Sequence, residues 1–236
     1  IFSSDVCLFS TVLGYLYSGQ PIDEIDLTIV DGELYDLYKQ EETDVAKAAW
    51  LFLAMKMAQL RQDVYYERTF FNEINVRKTH YHEKMVTMLK QYVERYGGVQ
   101  YEIKEVRDYF NKEYVQSLGD DTLVIMHPPA YTPGYTKMFI VDEYIKFQWP
   151  VEEFDFGKEW MNCYQWAANE VDVPYLWYTS QQVVKQLPEE HIVYAHEDGK
   201  DRFSYFLVPK YEQLKGFKEG LYKVKFKRMG TLEDAT

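Results

Sequence analysis

Cysteine is nearly missing: Cys7 and Cys163 are the only two in 236 residues, too few for the disulfide framework that staples small secreted domains. Proline and glycine are also sparse, at 8 and 12 residues, and they gather into no linker or low-complexity stretch. No apolar run approaches the ~18–20 residues of a membrane span. No signal-peptide pattern opens the sequence, so a reducing cytoplasm is the expected setting. Gly-x-Ser-x-Gly, a Walker loop and His-Glu-x-x-His are all lacking, which leaves nucleophile-elbow hydrolases, P-loop NTPases and zincin peptidases without support. Positive charge is in short supply as well: 26 Lys and Arg face 38 Asp and Glu, for a net charge of −12.

What is present suits a folded protein. Hydrophobic residues make up 47% and charged residues 27%, which excludes a disordered chain or a coiled-coil rod. The length fits one large α/β domain, or a domain with an insertion. The acidity weighs against nucleic-acid binding, where attraction to phosphate is the largest generic contribution. It is unevenly spread, however. Residues 1–50 carry 10 acids against 2 bases, whereas 51–100 carry 5 against 8 and 201–236 carry 5 against 8. Two basic zones therefore sit in an acidic body and permit a nucleic-acid face.

Ile1 to Asp5 reads as the end of a strand that stops on an acid. Val6, Phe9, Val12, Leu13 and Leu16 then follow helical spacing, and Gly19-Gln20-Pro21 ends the run. Residues 22–42 are acidic and ambiguous. Thr43 is an N-cap candidate for a helix through Ala46, Ala49, Trp50, Leu53 and Met57, and more helix is expected over 63–95, closed by Gly97-Gly98. Thereafter strand and helix alternate. Strands are expected at 99–103, 122–126 and 173–178, and helices at 108–117 and 157–171, the latter with Trp160, Cys163, Tyr164 and Ala167 on one face. Ile192 to Tyr194 and Phe203 to Val208 flank Glu197-Asp198-Gly199-Lys200 as an antiparallel hairpin. The expected architecture is an open, mostly parallel sheet with an antiparallel C-terminal hairpin, interrupted by a helical insertion over residues 43–96.

In open α/β sheets ligands bind at the carboxyl ends of strands. Asp5, the stretch Val106-Arg107-Asp108-Tyr109, and His127-Pro128-Pro129-Ala130-Tyr131 all fall at such ends. An acid there can receive the two hydroxyls of a ribose, and a second can receive an adenine amino group. A Pro-Pro turn is stiff and offers carbonyls without competing N–H donors. Each acid also precedes a helix, so each is a capping candidate.

The run Leu123 to Tyr131 resembles motif IV of the S-adenosylmethionine-dependent amino-methyltransferases of DNA, in which a buried strand enters (Asp/Asn/Ser)-Pro-Pro-(Tyr/Phe). Ile1 to Asp5 is similar to the second strand of that fold, whose acid takes the cofactor ribose, and Val106 to Tyr109 to the exit of its third strand, whose acid approaches the cofactor adenine. An insertion between those strands and a terminal hairpin suit the adenine-N6 branch, with a phage or mobile-element origin. The resemblance implies a single Rossmann-like methyltransferase domain over residues 1–236, S-adenosylmethionine as cofactor and DNA as partner. Asp5 and Asp108 would hold the cofactor, and His127, Pro128, Pro129 and Tyr131 would bind and stack a flipped base. The pattern is altered in two places: His127 stands where the family has Asp or Asn, and Ala130 displaces the aromatic residue by one. The family's Phe-x-Gly-x-Gly loop would lie just before Ile1, so a missing N-terminal segment is expected.

For nucleic-acid contact the candidates are Arg61, Arg68, Arg77, Lys78 and Lys84, interleaved with Tyr65, Tyr66, Phe70, Phe71 and Tyr81, together with the strand face Lys223, Lys225 and Lys227. A solvated edge strand would account equally for those last three lysines. His80-x-His82 places its rings on different sides of a helix and lacks a third ligand, so no metal is expected. Two alternatives to an active methyltransferase stay open: an inactive methyltransferase-fold binding or regulatory subunit, with a protein partner, and another base-modifying enzyme on the same fold.

Overall fold

The structure is a computed structural model that describes residues 1–109, 111–118, 122–127, 141–147, 156–170, 175–180, 192–197 and 203–207. In chain order the first elements are β1 (Phe2–Ser4), α1 (Leu8–Ser18), β2 (Leu27–Ile29), α2 (Gly32–Lys39), α3 (Asp44–Gln59), α4 (Tyr65–Val76), α5 (Lys78–Tyr96) and β3 (Gln100–Glu102). They are followed by α6 (Lys112–Ser117), β4 (Val124–Met126), β5 (Ile145–Phe147), α7 (Phe156–Glu170), β6 (Tyr175–Ser180), β7 (Ile192–Glu197) and β8 (Phe203–Leu207). The chain divides into two compact units, Ile1–Asp108 with Tyr135–Glu153, and Tyr109–Gly134 with Phe154–Thr236.

The first unit is organised by α3. Its start is set by Thr43, whose hydroxyl accepts the Ala46 N–H at 3.3 Å, with Asp44 in the first turn where negative charge is favoured. From Ala48 to Met55 every residue is buried, so no side of that stretch is polar. A helix that is apolar all round must be enclosed. It is surrounded by α1, α2 and α5, through Leu8, Val12 and Leu16, through Leu34 and Tyr38, and through Leu89. His82 of α5 lies flat on Trp50, with ring centroids 4.0 Å apart and planes at 12°. Its Nε2–H donates to the Ala46 carbonyl at 2.9 Å, while the Trp50 indole N–H donates to Glu41 Oε1 at 3.0 Å. His80 is exposed, so the two histidines do not converge.

Three details were not legible in the local pattern. The helical stretch expected over 63–95 is present as two helices, α4 and α5, which meet at Arg77 with φ −117° and ψ 32°. No glycine or proline marks the break; it allows Ile74 of α4 and Leu89 of α5 to enter the same core. The acidic stretch 22–42 contains a short 3-10 turn, β2 and α2, the last capped by Asp31, which accepts the Leu34 N–H at 2.8 Å. Strand β2 pairs antiparallel with β5, Leu27 opposite Phe147 and Ile29 opposite Ile145, so its partner lies more than a hundred residues away.

The parallel pair β1–β3 brings Phe2 opposite Gln100 and Ser4 opposite Glu102. Helix α1 packs on it at its closest through Gly14, where a Cβ would stand 2.3 Å from the Tyr101 ring. In the second unit the strand order is β4-β6-β8-β7, with β4 parallel to β6 and both other pairings antiparallel. The expected terminal hairpin is β7–β8. Helix α7 buries Trp160, Cys163, Tyr164 and Ala167, the face read from its spacing, and Trp160 stacks on Tyr164 at 5.3 Å and meets Trp177 edge-on at 5.5 Å. The fold is thus mixed α/β and mostly helical. Among the described residues its strands form three separate small sheets rather than one, because β1 and β3 bond only each other, as do β2 and β5. No helix of the described residues is long and apolar enough to cross a membrane.

Gly14→Ala is expected to lower the free energy of unfolding by about 1–3 kcal/mol through overpacking against Tyr101. Alanine's better helix propensity offsets up to about 1 kcal/mol of that loss. Urea unfolding of the two proteins followed by circular dichroism measures the difference.

Candidate functional site

The carboxyl edge of β1 and β3 collects the polar groups of the first unit. Tyr101 is buried in β3, and its hydroxyl donates to the Asp5 carbonyl at 2.8 Å and lies 3.3 Å from Thr11 Oγ1. It therefore ties the end of β1 and the first turns of α1 to β3. Burial, with Asp5 and Cys7 nearby, pushes the Tyr101 hydroxyl well above the usual phenol range, so it remains a donor. Burial likewise raises the Cys7 thiol, which keeps it neutral and a packing group.

Asp5 is held by its own backbone neighbourhood. Its Oδ1 accepts the Val6 N–H at 2.7 Å and the Cys7 N–H at 3.0 Å, closing the turn that leads into α1. The N-cap of α1 is Cys7, which has no side-chain capping bond, so Asp5 shapes the turn ahead of the helix rather than capping it as expected. Its Oδ2 takes no hydrogen bond from a described residue and can accept one from a ligand.

Beyond β3 the structure separates two acids that the sequence presented as one signal. Asp108 lies in a 3-10 turn, Val106–Tyr109, and is exposed, with no hydrogen bond on its carboxylate among the described residues. Glu105, which sequence reasoning passed over, is only 6% exposed. Its Oε2 accepts both the backbone N–H and the Nε–H of Arg107, each at 2.7 Å. A signal for it existed: Glu105 follows the buried Tyr101 at an even spacing, which on an extended chain puts both on one side.

His127 follows β4 directly, in the second unit, and is exposed. Pro128, Pro129 and Tyr131 lie outside the described residues, as do Lys223, Lys225 and Lys227. Three of the basic side chains of the helical segment are paired with carboxylates. Arg61 grips Glu67 through Nη2 at 2.7 Å and Nε at 3.1 Å and holds that carboxyl down at about 2. Arg77 stands 3.6 Å from Glu73, and Lys78 pairs with Glu33. Among the described residues Arg68 reaches only the Gln62 carbonyl, at 3.5 Å. Tyr65 and Tyr66 are 76% and 67% exposed, whereas Phe70, Phe71 and Tyr81 pack against the core. Among the described residues no three His, Cys, Asp or Glu side chains are grouped to hold a metal ion.

These features describe a mixed α/β protein with acids at the ends of a parallel strand pair and a helical segment between those strands. The chain belongs to the family described as Phage DNA Adenine Methylase-like domain 1, whose model matches residues 1–197. No curated protein and no solved structure matches it. The family resemblance read from the sequence is thereby borne out. The match stops short of the lysines at 223, 225 and 227.

Tyr38, Tyr101 and Tyr164 all have hydroxyls raised by burial above the ordinary value of 10.0. Unfolded tyrosine loses its proton near that value while the folded groups keep theirs, so above it the native state binds more protons and stability falls as pH rises. Denaturation midpoints measured between pH 9 and 11 are expected to drop above about pH 10. Tyr101→Phe is expected to make that drop shallower while costing about 0.5–1.5 kcal/mol at neutral pH, from the lost bond to the Asp5 carbonyl.

Proposed function

We propose that the chain forms a Rossmann-like methyltransferase domain that transfers a methyl group from S-adenosylmethionine to an exocyclic amine of DNA, adenine N6, in the cytoplasm of its host. The family match over residues 1–197 carries this reading. Asp5 supports it: a charged acceptor with one oxygen already fixed and the other free suits the vicinal hydroxyls of a ribose. On the same reading Asp108 lies toward the cofactor's adenine, and residues 43–96 are a helical insertion within a single domain spanning 1–236.

S-Adenosylmethionine supplies an electrophilic sulfonium methyl. The chain's own part is to position and to accept hydrogen bonds. Tyr131 offers a ring on which a flipped adenine stacks. The Pro128 carbonyl and a neutral His127 ring nitrogen accept the two amine hydrogens, which leaves the nitrogen lone pair directed at the methyl. A second reading, an inactive methyltransferase-fold subunit that binds a protein partner, is favoured by one observation: His127 stands where the family has Asp or Asn, and an imidazole can accept only while neutral.

Calorimetry with S-adenosylmethionine and mass spectrometry of nucleosides from treated DNA test these readings together. Binding with new N6-methyladenine supports the proposal, and absence of cofactor binding overturns it. Binding without any new nucleoside selects the inactive subunit, and a different mass increment selects another base modification.

DNA contact is proposed through Arg61, Arg68, Arg77 and Lys78, and through the lysine face at 223, 225 and 227. Within the helical segment Arg68 has no carboxylate partner among the described residues. Arg68→Ala is therefore expected to weaken duplex binding and to reduce the slope of log affinity against log salt by about 1. Arg61→Ala is expected to change both less, since Arg61 must first give up Glu67. Fluorescence anisotropy across a salt series reads both quantities.

A further inference from the structure

We infer that Tyr101 is a positioning residue for the ligand: acting through a single peptide group, its hydroxyl sets the direction of the Asp5 carboxylate and with it the preference for a ligand that carries a ribose diol. The inference rests on the proposal that the chain binds S-adenosylmethionine and that Asp5 meets its ribose. The Asp5 carbonyl, which receives the Tyr101 hydroxyl at 2.8 Å, and the Val6 N–H, which donates to Asp5 Oδ1 at 2.7 Å, are the two ends of one peptide unit. That unit is planar, so holding its oxygen also directs its N–H. The N–H in turn holds Oδ1, with the Cys7 N–H beside it at 3.0 Å, and Oδ2 is left facing away from both donors.

The direction of each bond follows from the donors present. Tyr101 has one hydroxyl hydrogen and the Asp5 carbonyl has none, so that hydrogen goes to Asp5. In the 3.3 Å contact with Thr11 Oγ1, Thr11 is therefore the donor. Thr11 is fully buried, and its hydroxyl meets no other group of the described residues. The series runs from Thr11 to Tyr101, on to the Asp5 carbonyl, and from the Val6 N–H to the carboxylate, each bond polarising the next. The ring at its centre is itself held. Gly14 approaches it so closely that a Cβ would stand 2.3 Å away, Tyr15 meets it edge-on at 6.2 Å, and Gln20 Nε2 donates to its carbonyl at 3.0 Å. A phenylalanine ring would keep the contacts with Gly14 and Tyr15 and release only the peptide. A released carboxylate must be immobilised when the ligand arrives, and that ordering weakens binding.

Calorimetry of S-adenosylhomocysteine and of its 2′,3′-dideoxy analogue with the wild-type chain, Tyr101→Phe and Thr11→Val tests this, with circular dichroism to establish that each variant is folded. The wild type is expected to prefer the diol ligand by about tenfold or more, as loss of a hydrogen bond to a charged group requires. Tyr101→Phe is expected to weaken the diol ligand by about three- to tenfold and to leave the dideoxy ligand within about twofold. Thr11→Val keeps the bond to the carbonyl and should narrow the preference less, by about two- to threefold. A role confined to stability moves both ligands alike or neither, and either result in Tyr101→Phe overturns the inference. Equal wild-type affinity for the two ligands overturns it as well. Should Tyr101→Phe fail to fold, Thr11→Val decides, since a preference it leaves unchanged defeats the proposed series. If the wild type binds neither ligand, the methyltransferase reading fails first and takes this inference with it, whereas a diol preference that survives Tyr101→Phe defeats this inference alone.

Discussion

Enclosure of α3 is the constraint from which the first unit follows. A helix buried along its whole middle stretch cannot sit at a surface, so neighbouring helices must cover it on every side. Two of those neighbours, α1 and α5, are the segments that leave β1 and lead into β3. Packing both on one helix brings the two strands together, and the Gly98 N–H closes the arrangement by donating to the Tyr17 carbonyl at 2.8 Å. The strand pair is only three residues long and would not persist alone. Its register, and with it the shared edge of Asp5 and Glu105, is a product of helix packing.

Much of this was legible in the amino-acid order, for definite reasons. Helices α1, α3 and α7 could be read because each carries its own spacing, and α1 and α3 also carry end signals in Gly19 and Thr43. Strands β3, β4 and the β7–β8 hairpin were readable as short apolar or alternating runs. What escaped depends on partners distant in sequence. Strand β2 is a strand because β5 lies beside it, and nothing in the acidic stretch 22–42 announces that. Arg77 breaks a helix to serve the core, not because of its own preference.

The site was legible to a different degree. A carboxylate at a strand end can be read from order alone, and Asp5 does follow β1 directly. Which of two acids in Glu105-Val106-Arg107-Asp108 is sheltered cannot, since it depends on how far the strand's alternation runs on past its last paired residue. The basic zone at 51–100 shows the same limit. Counting charges reveals an excess of bases, but only the fold reveals that Glu67, Glu73 and Glu33 already hold Arg61, Arg77 and Lys78. Of the three acids only Glu33 lies outside that stretch, so the fold draws one further acid onto its positive surface.

The divided use of Asp5 has a consequence for how such sequences drift. One oxygen serves the turn ahead of α1 and needs only to be an acceptor on a short side chain, a demand that Asn, Ser or Thr could also meet. The other oxygen, and the negative charge, serve no described residue. On the proposed reading two selective pressures act on one position and can be relaxed separately. In a lineage that abandoned methyl transfer, the position would still be confined to small acceptors for the sake of the turn, while the acid itself would be free to disappear.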